Sequence, residues 1–268
     1  MKLETVFVEK PWGRTDLPGH FSTGGRKIGE VWFPPPPDGE DLLVKHIFTS
    51  EKLSVQVHPN DAQANERGLP RGKEECWFVT GAEPGACLGI GLKQSLTARE
   101  VRQAASSGEI EQLMDWKPVQ AGDFFYIPAG TIHAIGAGIT LVEVQQNSDV
   151  TYRLYDYGRP RELHLDDAVA VARAAPYPPS LHRHVTGRQT EQLVDSRYFR
   201  LAFCHGEIPA LEGFGPTFLI PIGGALHLGD MMAASGECVA TDDPLCWQAE
   251  PGASLLVARS AQPIGMPH

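Results

Sequence analysis

The chain has 268 residues, enough for one large domain or two ordinary modules, and its formal net charge is −10. That acidic balance argues against nonspecific binding to nucleic acid or anionic lipid; a small anionic substrate would need a local cluster of Lys and Arg. No run nears the roughly 20 apolar residues of a membrane span and the first ten residues, MKLETVFVEK, lack a signal-peptide core, so the expected location is cytoplasmic; five cysteines without CxxC spacing suggest neither a disulfide framework nor a cysteine zinc site.

The 28 glycines and 22 prolines break the chain into short apolar runs, which predicts a mainly β protein, a sandwich or barrel of antiparallel strands with a few helices. The prolines at 34–37 predict a short stiff loop. Strands are predicted at 42–48, 53–58, 75–80, 124–127 and 140–145. Between them, TAREVRQAASSGEIEQLMD (97–115) is a helical excursion with a Thr97 N-cap, Glu100 completing a capping box, and a Ser-Ser-Gly that splits it in two. A further helix is predicted at 165–174, ending in the proline-rich AAPYPPS, where a module boundary is placed: 1–175, then 176–268. The second module has strand signals at 199–204, 217–222 and 253–258 and a Gly223-Gly224 turn, and its EPGASLLVA echoes AGDFFYIPAG of the first.

Three segments carry candidate chemistry. In LSVQVHPND, strand alternation puts Ser54, Gln56 and His58 on one face and Leu53, Val55 and Val57 on the other; the bland alternative is the polar face of an edge strand. GKEECWFVTG places Lys73 and Glu75 on one face at a strand entry. In AGDFFYIPAGTIHAI, Pro128 and Gly130 force a turn that presents His133 on the next strand. Gln56, His58, Glu75 and His133 together form a mixed N and O donor set suited to zinc, manganese, iron or cobalt. With one carboxylate the bound ion would keep positive charge and act as a Lewis acid.

LSVQVHP, KEECWF, GDFFYIPAGTIHAI and EVQQNSDVTYRLYDYGRPRELH, with KPWGR and GEVWF before them, resemble the compact bacterial type I mannose-6-phosphate isomerases over 10–164. Beyond residue 175 the likeness is only architectural. The resemblance implies a double-stranded β-helix (cupin) fold, one divalent metal, zinc, held by Gln56, His58, Glu75 and His133, and interconversion of mannose 6-phosphate and fructose 6-phosphate through a cis-enediol. It puts Arg153 on the family's catalytic arginine, Trp12, Ser54 and Lys73 near the sugar phosphate, and Glu143 near the reacting carbons; Glu143 or Lys73 is the candidate proton shuttle. Lys73 and Arg153, with Lys117 or Arg159, are the candidates for the phosphate cluster. The implied partner is a small sugar phosphate, with no nucleic acid or membrane, for a monomer or homodimer. PPPPDGED stands where relatives carry a longer segment, and the second module lacks ligands at cupin spacing and reads as structural. The rival reading is a non-catalytic sugar-phosphate-binding metal cupin, or an isomerase of a related sugar phosphate.

Overall fold

A computed structural model describes residues 1–19 and 21–262. Seven strands form one sheet in the order Val6–Arg14, Ile28–Phe33, Leu42–Phe48, Ile139–Gln146, Glu75–Ala82, Asp123–Ile127 and His182–His184. A five-stranded sheet faces it: Tyr152–Tyr155, Val55–Val57, His133–Ile135, Cys87–Leu92 and Met114–Pro118. All pairings within both sheets are antiparallel, giving a mainly β jelly roll.

Alternation sorts the side chains of the seven-stranded sheet. Trp77, Val79, Phe125, Ile127, Ile47 and Leu141 point into the space between the two sheets, whereas Cys76, Phe78, Phe124, Val44, Val142 and Val144 point outward. That outward face is covered by a second five-stranded sheet, Glu191–Asp195, Phe199–His205, Ser254–Ser260, Phe214–Gly223 and Val239–Thr241. Leu201, Phe203, Phe218, Ile220 and Leu256 complete one core with it, and the rings of Phe78 and Phe203 stack at 5.8 Å. A three-stranded sheet, Met231–Ala234, Ala225–Leu228 and Gln248–Ala249, closes a smaller core around Leu226, Trp247 and Leu255. The chain crosses to this second half only after His182–His184 has joined the first sheet beside Asp123–Ile127.

The helices cover the outer face of the first five-stranded sheet, where Val101, Ala104, Ile110, Ala168 and Val171 pack on Val55, Val57 and Leu154. Thr97 caps Ala98–Ser107 through the predicted capping box with Glu100. The split falls at Gly108, whose φ of 83° is left-handed and whose Cα lies against the Tyr155 ring. The second piece, Ile110–Leu113, is shorter than predicted because Met114 turns into the strand that pairs with Cys87–Leu92 over Gly89. The helix predicted at 165–174 stops at Val171. The strand predicted at 53–58 has ladder geometry only over Val55–Val57, its flanks being held by single bonds from Leu53 N to the Ile135 carbonyl and from Gly130 N to the His58 carbonyl. Gly122 and Gly252, with φ of 94° and 80°, lead into Asp123–Ile127 and Ser254–Ser260, the two segments that echo each other in sequence.

Candidate active site

The two facing sheets bring together residues far apart in sequence. On the five-stranded sheet Arg153 is directly opposite Gln56, and Gln56 opposite His133. Across from them the seven-stranded sheet aligns Trp32, Lys45, Glu143 and Trp77 in one row, and Gln145 with Glu75 in the next.

His58, Glu75 and His133 are all buried and their ligand atoms lie within 4.8 Å of one another; among the described residues they form the only such group of three or more His, Cys, Asp or Glu. His58 Nδ1 bonds the Val150 carbonyl at 2.8 Å and His133 Nδ1 the Thr131 carbonyl at 2.9 Å, contacts that require both Nδ1 atoms to carry the proton. Each Nε2 therefore presents a lone pair, and these face the Glu75 carboxylate at 3.5 Å and 3.3 Å. His58 Nε2 makes no hydrogen bond. Three acceptors converging in a buried space repel one another unless a cation lies between them, so the donor set fits a metal ion. Burial holds both imidazoles below their usual pKa, His133 at about 4, and so keeps them neutral. Burial also pushes Glu75 up to about 7 in the metal-free site, against the pull of Lys73. Gln56 turns its amide nitrogen to His133 Nε2 at 3.2 Å and its oxygen to Ser54 Oγ at 3.4 Å. Ligation through the oxygen requires the amide to rotate by half a turn.

A charged layer sits beside this group. Lys73 Nζ is 3.0 Å from Glu75 and 4.0 Å from Glu143; Lys45 Nζ is 3.3 Å from Glu143 and donates to Gln145 Oε1 at 2.6 Å. Trp77 Nε1 donates to Glu143 Oε2 at 2.9 Å. Burial opposes charge on Lys73, but Glu75 and Glu143 prevail and raise its pKa. Burial likewise opposes ionisation of Glu143, and Lys73 and Lys45 prevail and lower its pKa. The shift of Lys73 keeps it protonated and so removes it as a base, whereas that of Glu143 keeps it ionised and able to accept a proton, though weakly basic. Lys45 is lowered, by burial first and by Lys73 second. It is absent from the residues singled out in the sequence, although a lone lysine inside the apolar run LLVKHIF was a signal that something must compensate it.

A cavity of about 450 Å3 opens over this layer, lined by Trp12, Ser54, Gln56, Lys73, Glu143 and Arg153 of the predicted site residues. Its further cations are Lys10, Lys45 and Arg161. Lys117 and Arg159 do not line it: Lys117 pairs with Asp115, and Arg159 with Asp156 at 2.8 Å. Trp12 belongs both to the cavity wall and to the core between the sheets. In the second half, His227 pairs with Glu250 at 3.0 Å and His205 is exposed.

No family model matches the chain. A mannose-6-phosphate isomerase from Streptococcus mutans is 42% identical over 170 residues, 59% of this chain and 52% of the relative. A probable mannose-6-phosphate isomerase from Bacillus subtilis, GmuF, is 37% identical over 212 residues, 63% of this chain and 67% of the relative. The match thus spans about half the length of the Streptococcus protein and two thirds of the Bacillus one. The crystal structure of the Bacillus subtilis mannose 6-phosphate isomerase superposes with a TM-score of 0.77 at 26% identity, covering 96% of this chain and 98% of that one. A putative mannosephosphate isomerase from Archaeoglobus fulgidus, 17% identical with a TM-score of 0.75 over 97% of both chains, shares the fold. Identity, coverage and the cupin-like fold together show that the chain belongs to the mannose-6-phosphate isomerase family.

Proposed function

We propose that the chain interconverts mannose 6-phosphate and fructose 6-phosphate through a cis-enediol, using one divalent metal, zinc, held by His58, Glu75, His133 and the rotated amide of Gln56. The observation that carries the reading is the convergence of two imidazole lone pairs and a carboxylate beneath a cavity whose wall holds Lys73, Lys45, Glu143 and Arg153. When bound, the metal supplies Lewis-acid stabilisation of negative charge on the substrate oxygens.

The side chains account for the rest of the reaction. Moving the carbonyl between C1 and C2 requires a proton to leave C2 and return at C1. Glu143, ionised and fixed by Trp77, is the group able to accept it; Lys73, kept protonated, supports charge rather than acting as a base. Arg153, with Nε buried and free of hydrogen bonds, offers its guanidinium to the developing enediolate. Trp12 and Ser54 shape the wall. Residues 1–175, completed by the edge strand His182–His184, form the catalytic cupin unit and the rest of 176–268 the structural one, in a cytoplasmic monomer or homodimer.

The test is to incubate metal-loaded protein with mannose 6-phosphate and follow fructose 6-phosphate, beside His133→Ala and Arg153→Ala. Turnover by the parent and its loss in both variants is the expected result. Turnover that survives both would remove the site assignment, and binding of the sugar phosphate without turnover would make the protein a non-catalytic binder.

A further inference from the structure

The turn that presents the two imidazoles is held from outside the site. Residues 128–131 follow Asp123–Ile127 and lead into His133–Ile135. Thr131 N donates to the Pro128 carbonyl at 3.1 Å and closes the turn. Gly130 N donates to the His58 carbonyl at 2.8 Å, and the Thr131 carbonyl accepts from His133 Nδ1 at 2.9 Å. One short segment therefore bonds both histidines, the first through its backbone and the second through its ring. The two remaining carbonyls of the turn go to a single residue, Arg173: its backbone N donates to the Gly130 carbonyl at 2.7 Å and its Nη2 to the Ala129 carbonyl at 3.0 Å.

Arg173 reaches the turn because the helix before it ends early. The chain leaves helical geometry after Val171 and runs parallel to the turn, with Thr131 and Arg173 bridged. The carbonyls of Ala174 and Ala175 accept from Leu96 N and Leu92 N at 2.9 and 3.1 Å, which ties the backbone of this segment to the end of Cys87–Leu92 and the loop after it. The side chain lies over Gly130, whose φ of 84° is left-handed; a Cβ there would stand 3.2 Å from Arg173 Cγ and 3.3 Å from its Nε. A bare glycine thus leaves room for the guanidinium. Arg173 lies in a separate cleft with Asn60, Gln63, Arg197 and Tyr198 and forms no part of the wall of the larger cavity. Its bond to a neutral carbonyl is exposed and contributes little to global stability, so what it fixes is the position of the turn.

We propose that Arg173 is a positioning residue for the metal centre: by gripping Ala129 and Gly130 from outside, it sets the spacing of His58 and His133 and thereby the affinity for the metal. The inference rests on the reading of His58, Glu75 and His133 as a metal site, and its test separates the two. Zinc affinity is measured by chelator competition on the parent, Arg173→Ala, Arg173→Lys and Arg197→Ala, beside the absorption spectra of the cobalt-loaded proteins and the melting temperatures of the metal-free ones. Arg173→Ala keeps the backbone bond to Gly130 and loses the side-chain bond to Ala129. Arg197→Ala is the control, because Arg197 lines the same cleft but donates to Tyr198 rather than to the turn. A partner bonded directly to a metal ligand alters affinity by roughly ten- to a hundredfold, and Arg173 acts one bond further out. We expect Arg173→Ala to weaken zinc about three- to tenfold and to shift the cobalt spectrum, Arg173→Lys to recover part of the affinity, and Arg197→Ala to bind zinc within about twofold of the parent. The metal-free Arg173→Ala protein should melt within about 2 °C of the parent. Parental zinc affinity in Arg173→Ala, whether or not its metal-free form melts lower, would overturn the inference and leave the metal site standing. Equal losses in Arg173→Ala and Arg197→Ala would overturn it as well, by reducing the effect to surface charge. A parent that binds no zinc overturns both readings, whereas binding that weakens in Arg173→Ala in a protein without isomerase activity upholds the positioning role and sinks the catalytic one.

Discussion

Glu75 is the residue on which the candidate centre turns, because both imidazoles and Lys73 meet its carboxylate. Glu75→Gln removes the only anionic donor, and metal content measured after dialysis against limiting zinc should show at least about tenfold weaker binding with the fold retained by circular dichroism. The metal-free site also sets a pH dependence. Burial depresses His58 and His133, the latter to about 4 from 6.5, so the stability they contribute is present above pH 6.5 and is lost as pH falls through 4. Glu75, raised from 4.5 to about 7 by burial, acts in the opposite sense: its contribution is present below pH 4.5 and is lost as pH rises through 7. Two imidazoles outweigh one carboxylate. The melting temperature of chelated protein should therefore drop on acidification from pH 6.5 to 4, and His133→Gln should flatten that drop; a melting temperature that rises over the same range would contradict the balance. These residues were legible in the sequence to different depths. Alternation alone put Ser54, Gln56 and His58 on one face, and the Pro128-x-Gly130 turn presented His133, but that the Glu75 strand faces them depends on closure of two sheets that no local pattern encodes. Lys45 escaped notice for the same reason: a lysine in an apolar strand acquires meaning only from what lies opposite.

At the scale of elements, local chemistry governs the boundaries. Thr97 caps its helix through the hydroxyl and its reciprocal bond with Glu100, so Thr97→Ala should cost roughly 1 kcal/mol in chemical denaturation without touching the cavity. Gly136 shows a tighter constraint. A Cβ there would stand 2.2 Å from the Cys87 carbonyl oxygen, to which Gly136 N already donates at 3.0 Å. Gly136→Ala must push apart the strands that hold His133 and Leu88 and should cost about 1–3 kcal/mol in the same assay. The capping box and the Ser-Ser-Gly break were readable because caps are local. The extent of the second helical piece was not, since Met114 leaves the helix to pair with a strand more than twenty residues earlier.

Over the whole molecule, the seven-stranded sheet serves two cores at once. Its inner face carries Lys45, Glu75 and Glu143, and its outer face shares Phe78, Phe124 and Val142 with Phe203 and Phe218 of the second half. Phe203→Ala should destabilise by about 3–5 kcal/mol, and the loss should appear as a downward shift of one calorimetric transition rather than the splitting off of a second-half transition. The shared core between the seven-stranded sheet and the strands after residue 190 was not readable in the sequence, because an outward-facing Phe78 looks the same whether it meets solvent or a partner sheet. This double use restricts how the gene can change in length. One residue inserted between Glu75 and Val79 would exchange Trp77 for Phe78, turning a metal-side face into an interface face and the reverse. Codon insertions and deletions should thus survive selection in the loop at 34–41 and vanish from 42–48, 75–82 and 139–146, a distribution that a library of single-codon insertions would display.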